Sequence, residues 1–161
     1  HRTGYRGIHL MPRVRVPEEK HWPVGLGFAA ELGLGRPDFN TSFWSLELRP
    51  IIDKKIGKLC IAFNPVIAKV LDKEGTDGEF ECSPNGMISY ELSEKLSPAV
   101  EYYASLGPLK EFNDVSEQLH HIFIATEIKL DPRWELNVGY GFTVNSNGED
   151  KIVKLFIGRI F

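Results

Sequence analysis

The stretch that decides the fold is WELNVGYGFTV, residues 134–144. Every second residue is apolar or aromatic, and the residues between them are polar or glycine. The apolar register comprises Trp134, Leu136, Val138, Tyr140, Phe142 and Val144. A two-residue period is the pattern of a β-strand whose two faces meet different surroundings. The period predicts the strand, but it does not say which face points to the middle of the protein.

The same alternation recurs along the whole chain, with turn residues between the alternating segments. Eight further segments follow it, at residues 8–16, 24–34, 43–52, 58–70, 80–92, 99–106, 121–130 and 151–161. No segment has a convincing helical period. The sequence therefore predicts an all-β fold in a single domain over residues 1–161, built as an antiparallel up-and-down meander of about nine strands.

Four prolines fall inside these segments. Proline has no N–H to give to a sheet, so it is confined to edges, strand ends and bulges. Pro50 and Pro84 are expected near strand ends, where they are tolerated. Pro12 and Pro65 are expected in mid-strand, which predicts bulges or broken strands at both positions.

Composition excludes several classes of protein. The 161 residues are 42% hydrophobic and 25% charged, with a net charge of −3, which is no electrostatic footprint for nucleic acid. No run of 18 apolar residues exists, so a transmembrane helix is not expected. The chain starts at His1 without a signal peptide, and we expect it to be processed or cut from a longer protein. Cys60 on the polar register and Cys82 on the apolar register are not expected to form a disulfide.

The polar register favours a barrel that is inside out relative to a soluble one. It mixes both signs of charge with glycines, whereas a soluble exterior would carry more lysine and fewer glycines. A water-filled lumen can hold such residues. The predicted lumen-lining residues are Arg13, Arg15, Glu31, Glu47, Arg49, Glu81, Glu101, His121, Glu127, Lys129, Glu135 and Asn137.

The apolar register has the features of a surface that faces lipid. Aromatic residues stand near its strand ends, as in the girdles of outer-membrane barrels. Short turns alternate with longer polar loops, another feature of those barrels. The predicted membrane-facing and girdle residues are Trp44, Tyr90, Trp134, Val138, Tyr140 and Phe142.

The chain ends KIVKLFIGRIF, an alternating strand closed by an aromatic residue. Gly158 and Phe161 resemble the C-terminal signal that the outer-membrane assembly machinery reads. Arg159 stands where that signal usually has a second aromatic residue, so the match is incomplete.

Several segments resemble the C-terminal part of a family of uncharacterised outer-membrane β-barrel proteins from Gram-negative bacteria. These segments are ELRPIIDKKIGKLCIAFNPV (47–66), PAVEYYASLGPL (98–109), WELNVGYGFTV and KIVKLFIGRIF. The resemblance implies a transmembrane β-barrel exported through a signal peptide, with the lipid bilayer and the assembly machinery as partners. It implies no substrate. Single-chain bacterial barrels have an even number of strands, so nine strands predict an incomplete barrel, the C-terminal portion of a longer one.

These observations predict a channel or passive transporter for small polar solutes in the outer membrane. Two alternatives stay open: a structural or surface-display barrel with a plugged lumen, and a soluble barrel that binds a hydrophobic ligand. No cofactor, metal or catalytic group is expected. His120 and His121 should lie on opposite faces. His121, Glu101 and Glu127 could form an acid–base group, although a charge network that braces the barrel is the favoured interpretation.

Overall fold

A computed structural model describes residues 7–17, 22–35, 44–72, 78–145 and 151–159. Strands are the only extended elements in those ranges, and no helix in them is long and apolar enough to cross a membrane. The strands are β1 (Gly7–Leu10), β2 (Arg13–Arg15), β3 (Gly25–Gly35), β4 (Trp44–Ile56), β5 (Leu59–Val70), β6 (Phe80–Tyr90), β7 (Leu96–Ser105), β8 (Gly107–Pro108), β9 (Leu119–Lys129), β10 (Trp134–Thr143) and β11 (Ile152–Arg159).

The strands form one antiparallel sheet that curls into a half-barrel. Its order is β1-β3-β4-β5-β6-β7-β9-β10-β11, so neighbours in the chain are almost always neighbours in the sheet. Strand β2 continues β1 along β3, and β8 continues β7 along β6. The predicted all-β antiparallel meander is confirmed at this level. In the described residues the curled sheet is open, with β1, β2 and β11 at its edges.

The described residues form eleven strands and not the expected nine. The first predicted segment is broken at Met11–Pro12, as predicted for Pro12. The short strand β8 was not predicted; it follows the end of the sixth segment, and a bulge separates it from β7. Asn85 pairs with Tyr103, and Cys82 pairs with Gly107. Between these two pairs, β6 has two residues (83–84) and the opposite strand has three (104–106), which is a bulge. Gly107 has a φ of 88°, a conformation that favours glycine and that ends the bulge.

Pro65 does not break its strand, contrary to the prediction. Strand β5 is continuous, and its register with β4 is the same on both sides of a gap in the pairing. That register places Pro65 opposite Pro50, and Pro65 pairs with Pro84 on the other side. Pro50 and Pro84 therefore lie in mid-strand and not near strand ends. Pro50 and Pro65 face each other across β4 and β5. The N–H groups that both lack therefore weaken only one short stretch of the pairing between these two strands, and the register stays intact.

The short turns form from local chemistry. Strand β4 runs to Ile56, four residues past the predicted end, and a two-residue turn at Gly57–Lys58 joins it to Leu59. Gly57 takes a φ of 60°, which glycine adopts without strain. Between β9 and β10, Asp131 Oδ1 accepts hydrogen bonds from the backbone N–H of Arg133 at 2.7 Å and of Trp134 at 2.9 Å. The aspartate thereby stabilises this turn itself.

Candidate functional site

The two registers lie on opposite faces of the curled sheet. The apolar register is on the convex face, where Val100 is 49%, Ile124 58% and Tyr140 48% exposed. The polar register is on the concave face, where Ala125 is 2% and Glu101 3% exposed. A soluble barrel has the opposite arrangement, since burial of apolar surface is what stabilises it.

The strand register places all the predicted lumen residues on the concave face and all the predicted membrane-facing residues on the convex face. For example, Asn137 pairs with Glu127, and its neighbour Val138 pairs with Thr126 on the other side of the sheet. Gly158 lies opposite Glu135. Phe161 lies outside the described residues. The contact of these faces with lipid and with a lumen stays a prediction.

A cavity of about 450 Å³ occupies the middle of the concave face. It brings together seven of the predicted lumen residues, namely Arg13, Arg49, Glu101, Glu127, Lys129, Glu135 and Asn137. The other five do not line it. Of these, Glu47 bonds to Arg49 at 3.0 Å, and Glu31 bonds to His9 at 2.7 Å. The remaining residues are Arg15, Glu81 and His121.

One side of this cavity is a buried polar network around Glu101. Lys154 Nζ forms an ion pair with Glu101 Oε2, which also accepts a hydrogen bond from Tyr103 Oη at 2.7 Å. Asn137 Nδ2 donates to the other carboxylate oxygen at 3.2 Å. The Lys154 ammonium also lies 5.5 Å from the centre of the Phe123 ring. The carboxylate is therefore satisfied at both oxygens, as a buried charge requires.

Lys154, Tyr103 and Phe123 belong to this site but were not among the residues predicted for it. Tyr103 was on the polar register of its segment. Lys154 lies on the other register of the last strand from Phe161. Lys154 and Glu101 are 53 positions apart, and two strands separate them. Only the register of the last strand relative to β10 would have identified the pair.

Glycines on the concave face make room for these long side chains. A Cβ on Gly141 would lie 2.5 Å from the Phe123 ring, and one on Gly139 would lie 3.4 Å from Lys154 Cε. Lys154 passes over β10 and β9 to reach β7 because these positions are small. The glycines of the polar register are thus required by side chains that cross the sheet.

Further ion pairs also reach over a neighbouring strand. Arg15 on β2 donates two hydrogen bonds to Asp53 on β4, at 3.0 and 2.9 Å, and passes over the glycines of β3. Lys55 bonds to Glu91 at 2.6 Å across β5. This hydrogen bond and the charge of Lys55 hold the pKa of Glu91 below its usual value. Such pairs join alternate strands on one face and stiffen the curled sheet.

The predicted acid–base group is not formed. His121 and Glu127 are six residues apart on β9, which separates them by roughly 20 Å along an extended strand. Glu101 is held by the network described above. His120 lies on the convex side, where its Nδ1 is 2.7 Å from Tyr102 Oη, so the two adjacent histidines do lie on opposite faces.

The described residues contain no group of three or more histidine, cysteine, aspartate or glutamate side chains that could hold a metal ion. Cys60 and Cys82 are free thiols. Cys60 pairs with Ser89 and Cys82 with Ile67, on opposite registers of neighbouring strands. The prediction that they form no disulfide is confirmed.

The convex face carries aromatic residues near both ends of the strands. Trp44 and Phe80 lie near the end with the longer loops, and Tyr90 and Trp134 near the end with the short turns. Cationic side chains cover two of the rings: Arg159 lies 5.4 Å from the centre of the Trp134 ring, and Lys69 Nζ lies 4.9 Å from that of Phe80. Amphipathic aromatics and long cations at two levels are typical of the edges of a membrane.

No protein-family model matches this chain, and no curated protein or solved structure is significantly similar to it. The family resemblance stated above therefore stays a prediction.

Proposed function

We propose that this chain is part of an outer-membrane β-barrel that conducts small polar solutes through a lumen lined by its concave face. One observation carries the proposal: the apolar register is exposed on the convex face, and the charged register is gathered inside. In water, a continuous apolar face of this extent would be unfavourable, whereas lipid tails would cover it. The polar interior, in turn, needs water or ion pairs to satisfy it.

Strand length supports the same proposal. Strands β3 to β7, β9 and β10 have 10–13 residues each. A tilted strand needs about 9–11 residues to cross the hydrocarbon layer. The aromatic residues at both ends of these strands then fall at the two membrane interfaces. The lipid bilayer and the assembly machinery that inserts such barrels are the proposed partners.

The open edges of the sheet complete the proposal. Unpaired N–H and C=O groups at a sheet edge are unfavourable in lipid, so a barrel that spans the membrane has no edges. We therefore infer that further strands close the sheet between the β1–β2 edge and β11, as expected for the incomplete barrel predicted above. Their number sets the diameter of the lumen.

A second candidate is a structural barrel whose lumen is plugged. The Glu101 network favours it, because Lys154 extends across two strands and fills part of the concave face. Single-channel recordings of the intact protein separate the two: a channel gives discrete conductance steps, and a plugged barrel gives none. A soluble barrel that holds a hydrophobic ligand is not favoured, because it needs the apolar register on the concave face.

Thiol labelling of two adjacent residues tests the proposal. We expect Asn137→Cys in the intact protein, reconstituted in liposomes, to react with a membrane-impermeant thiol reagent. Val138→Cys should stay protected until the protein is denatured, because lipid covers the convex face. Both variants are made in a protein in which serine replaces Cys60 and Cys82, so that the introduced cysteine is the one that reacts.

The two variants are matched controls for each other, since they differ by one position on the same strand. Labelling of Val138→Cys with protection of Asn137→Cys would contradict the proposal. Labelling of Asn137→Cys in a protein that never enters liposomes would also contradict it, because the concave face would then be an ordinary wet surface.

A further inference from the structure

The charges around the central cavity are separated across it. Arg13 on β2 and Arg49 on β4 line the cavity from the half of the curled sheet that begins at β1, which forms one wall. Glu127 on β9 and Glu135 on β10 line the opposite wall, together with Lys129. The remaining charged residues of the lining, Lys154 and Glu101, are paired with each other. Arg49 is itself paired with Glu47. The first wall therefore carries one cation outside an ion pair, Arg13, and the second carries two carboxylates against one lysine.

These charged groups are accessible from the cavity. Arg13, Lys129, Glu127 and Glu135 are exposed residues. Arg49 is half-buried, its Nη2 donates to Glu47 and its Nη1 to Met11 Sδ, so Nε is the nitrogen that has no protein partner. A solute in the cavity can thus reach a cation on one side and a carboxylate on the other.

Three buried polar atoms line the same cavity, and two of them have the polarity of their wall. Arg49 Nε is a buried donor on the cationic wall, and Asn137 Oδ1 is a buried acceptor between the two glutamates. Asn64 Oδ1 is a third buried atom of this kind. None of the three has a hydrogen-bond partner among the described residues. Unpaired buried polar groups are unfavourable, so water or a solute in the cavity has to supply their partners.

We propose that the cavity selects dipolar solutes, in which an anionic group and an ammonium group stand a few bonds apart, as in a free amino acid. The anionic group faces Arg13 and Arg49, and the ammonium group faces Glu127, Glu135 and Asn137 Oδ1. A volume of about 450 Å³ lies in the range of small-molecule pockets. This inference rests on the proposed channel function and specifies the solute class that the channel passes.

Liposome swelling with three solutes of similar size and no net charge tests this inference. The solutes are L-alanine, which is a zwitterion, lactamide, which replaces its charges by a hydroxyl and an amide, and glycerol. In the intact protein we expect L-alanine to enter about two- to five-fold faster than lactamide, the factor that one exposed ion pair supplies. Membrane-impermeant solutes and protein-free liposomes set the baseline.

Variants of the two walls connect the preference to the cavity. Glu127→Gln/Glu135→Gln and, separately, Arg13→Gln should each lower the ratio of L-alanine to lactamide entry towards one. Glycerol entry above the rate of protein-free liposomes reports that each variant is folded and inserted. The matched control is Glu31→Gln, a concave-face glutamate outside the cavity lining, which should keep the wild-type ratio.

The possible outcomes are distinct. Entry of glycerol without a preference for L-alanine would overturn this inference and leave the channel proposal standing. The same holds if the Glu127→Gln/Glu135→Gln variant keeps the preference, or if Glu31→Gln loses it equally. Entry of none of the three solutes would overturn the channel proposal and this inference together.

Discussion

Replacing Lys154 by methionine is expected to lower the free energy of unfolding by about 3–5 kcal/mol, the range measured when one partner of a buried ion pair is removed. Glu101 is only 3% exposed, and without the cation it must either carry an uncompensated charge or take up a proton, both of which cost stability. Its bonds to Tyr103 and Asn137 remain, but neutral donors stabilise a buried carboxylate less than an ammonium group does. Urea-induced unfolding of the reconstituted protein, followed by tryptophan fluorescence, measures the change.

A double-mutant cycle isolates the pair from the packing of the lysine stem. Glu101→Gln alone should also destabilise, because Lys154 is then left without its anion. The double variant Glu101→Gln/Lys154→Met should recover much of the loss, since no uncompensated charge remains. A Lys154→Met variant within about 1 kcal/mol of the wild type would mean that the pair behaves as a solvated surface pair.

Replacing Gly141 by valine is expected to destabilise the sheet by about 1–3 kcal/mol, as is usual for an enlarged residue at a closely packed position. A Cβ at this position would lie 2.5 Å from the Phe123 ring, closer than real side-chain contacts allow. The ring cannot easily move aside, because Tyr103 packs edge-on against it with ring centres 5.5 Å apart. The same urea titration reports the effect.

Gly86→Val is the matched control for this variant. Gly86 also lies inside a strand, but its nearest atom to an added Cβ is a backbone oxygen at 3.7 Å, which is an ordinary contact. Valine there should be neutral or stabilising, since a β-branched residue suits an extended strand. Adding Phe123→Ala to Gly141→Val should restore part of the lost stability. Equal effects at the two glycines would show that strand propensity, and not the Phe123 ring, decides the outcome.

The strands themselves could be predicted because alternation is a local property. Trp134 to Thr143 form a strand, as the opening pattern predicted, and the break at Pro12 follows from proline chemistry. The continuity of β5 at Pro65 could not be predicted, because it depends on Pro50 and Pro84 facing it from two other strands. The bulge before Gly107 is of the same kind, since a bulge exists only relative to a partner strand.

The candidate site was predictable in composition but not in arrangement. The register of Glu101, Glu127, Glu135 and Asn137 placed them on one face, and the structure agrees. That Glu101 is held by Lys154 depends on the register between distant strands. The distance between His121 and Glu127, in contrast, follows from the extended length of their one strand.

By itself, then, the sequence determined the strands, their turns and the division of side chains into two registers, because a two-residue period needs only neighbouring residues. The tertiary structure decided which register is inside. The direction in which a sheet curls is a property of all its strands together, and it gathers the charged register into a cavity with Arg13 and Glu127 on facing walls. Residues that are distant in the chain meet there because the curl brings strands β2 and β9 to opposite sides of one space.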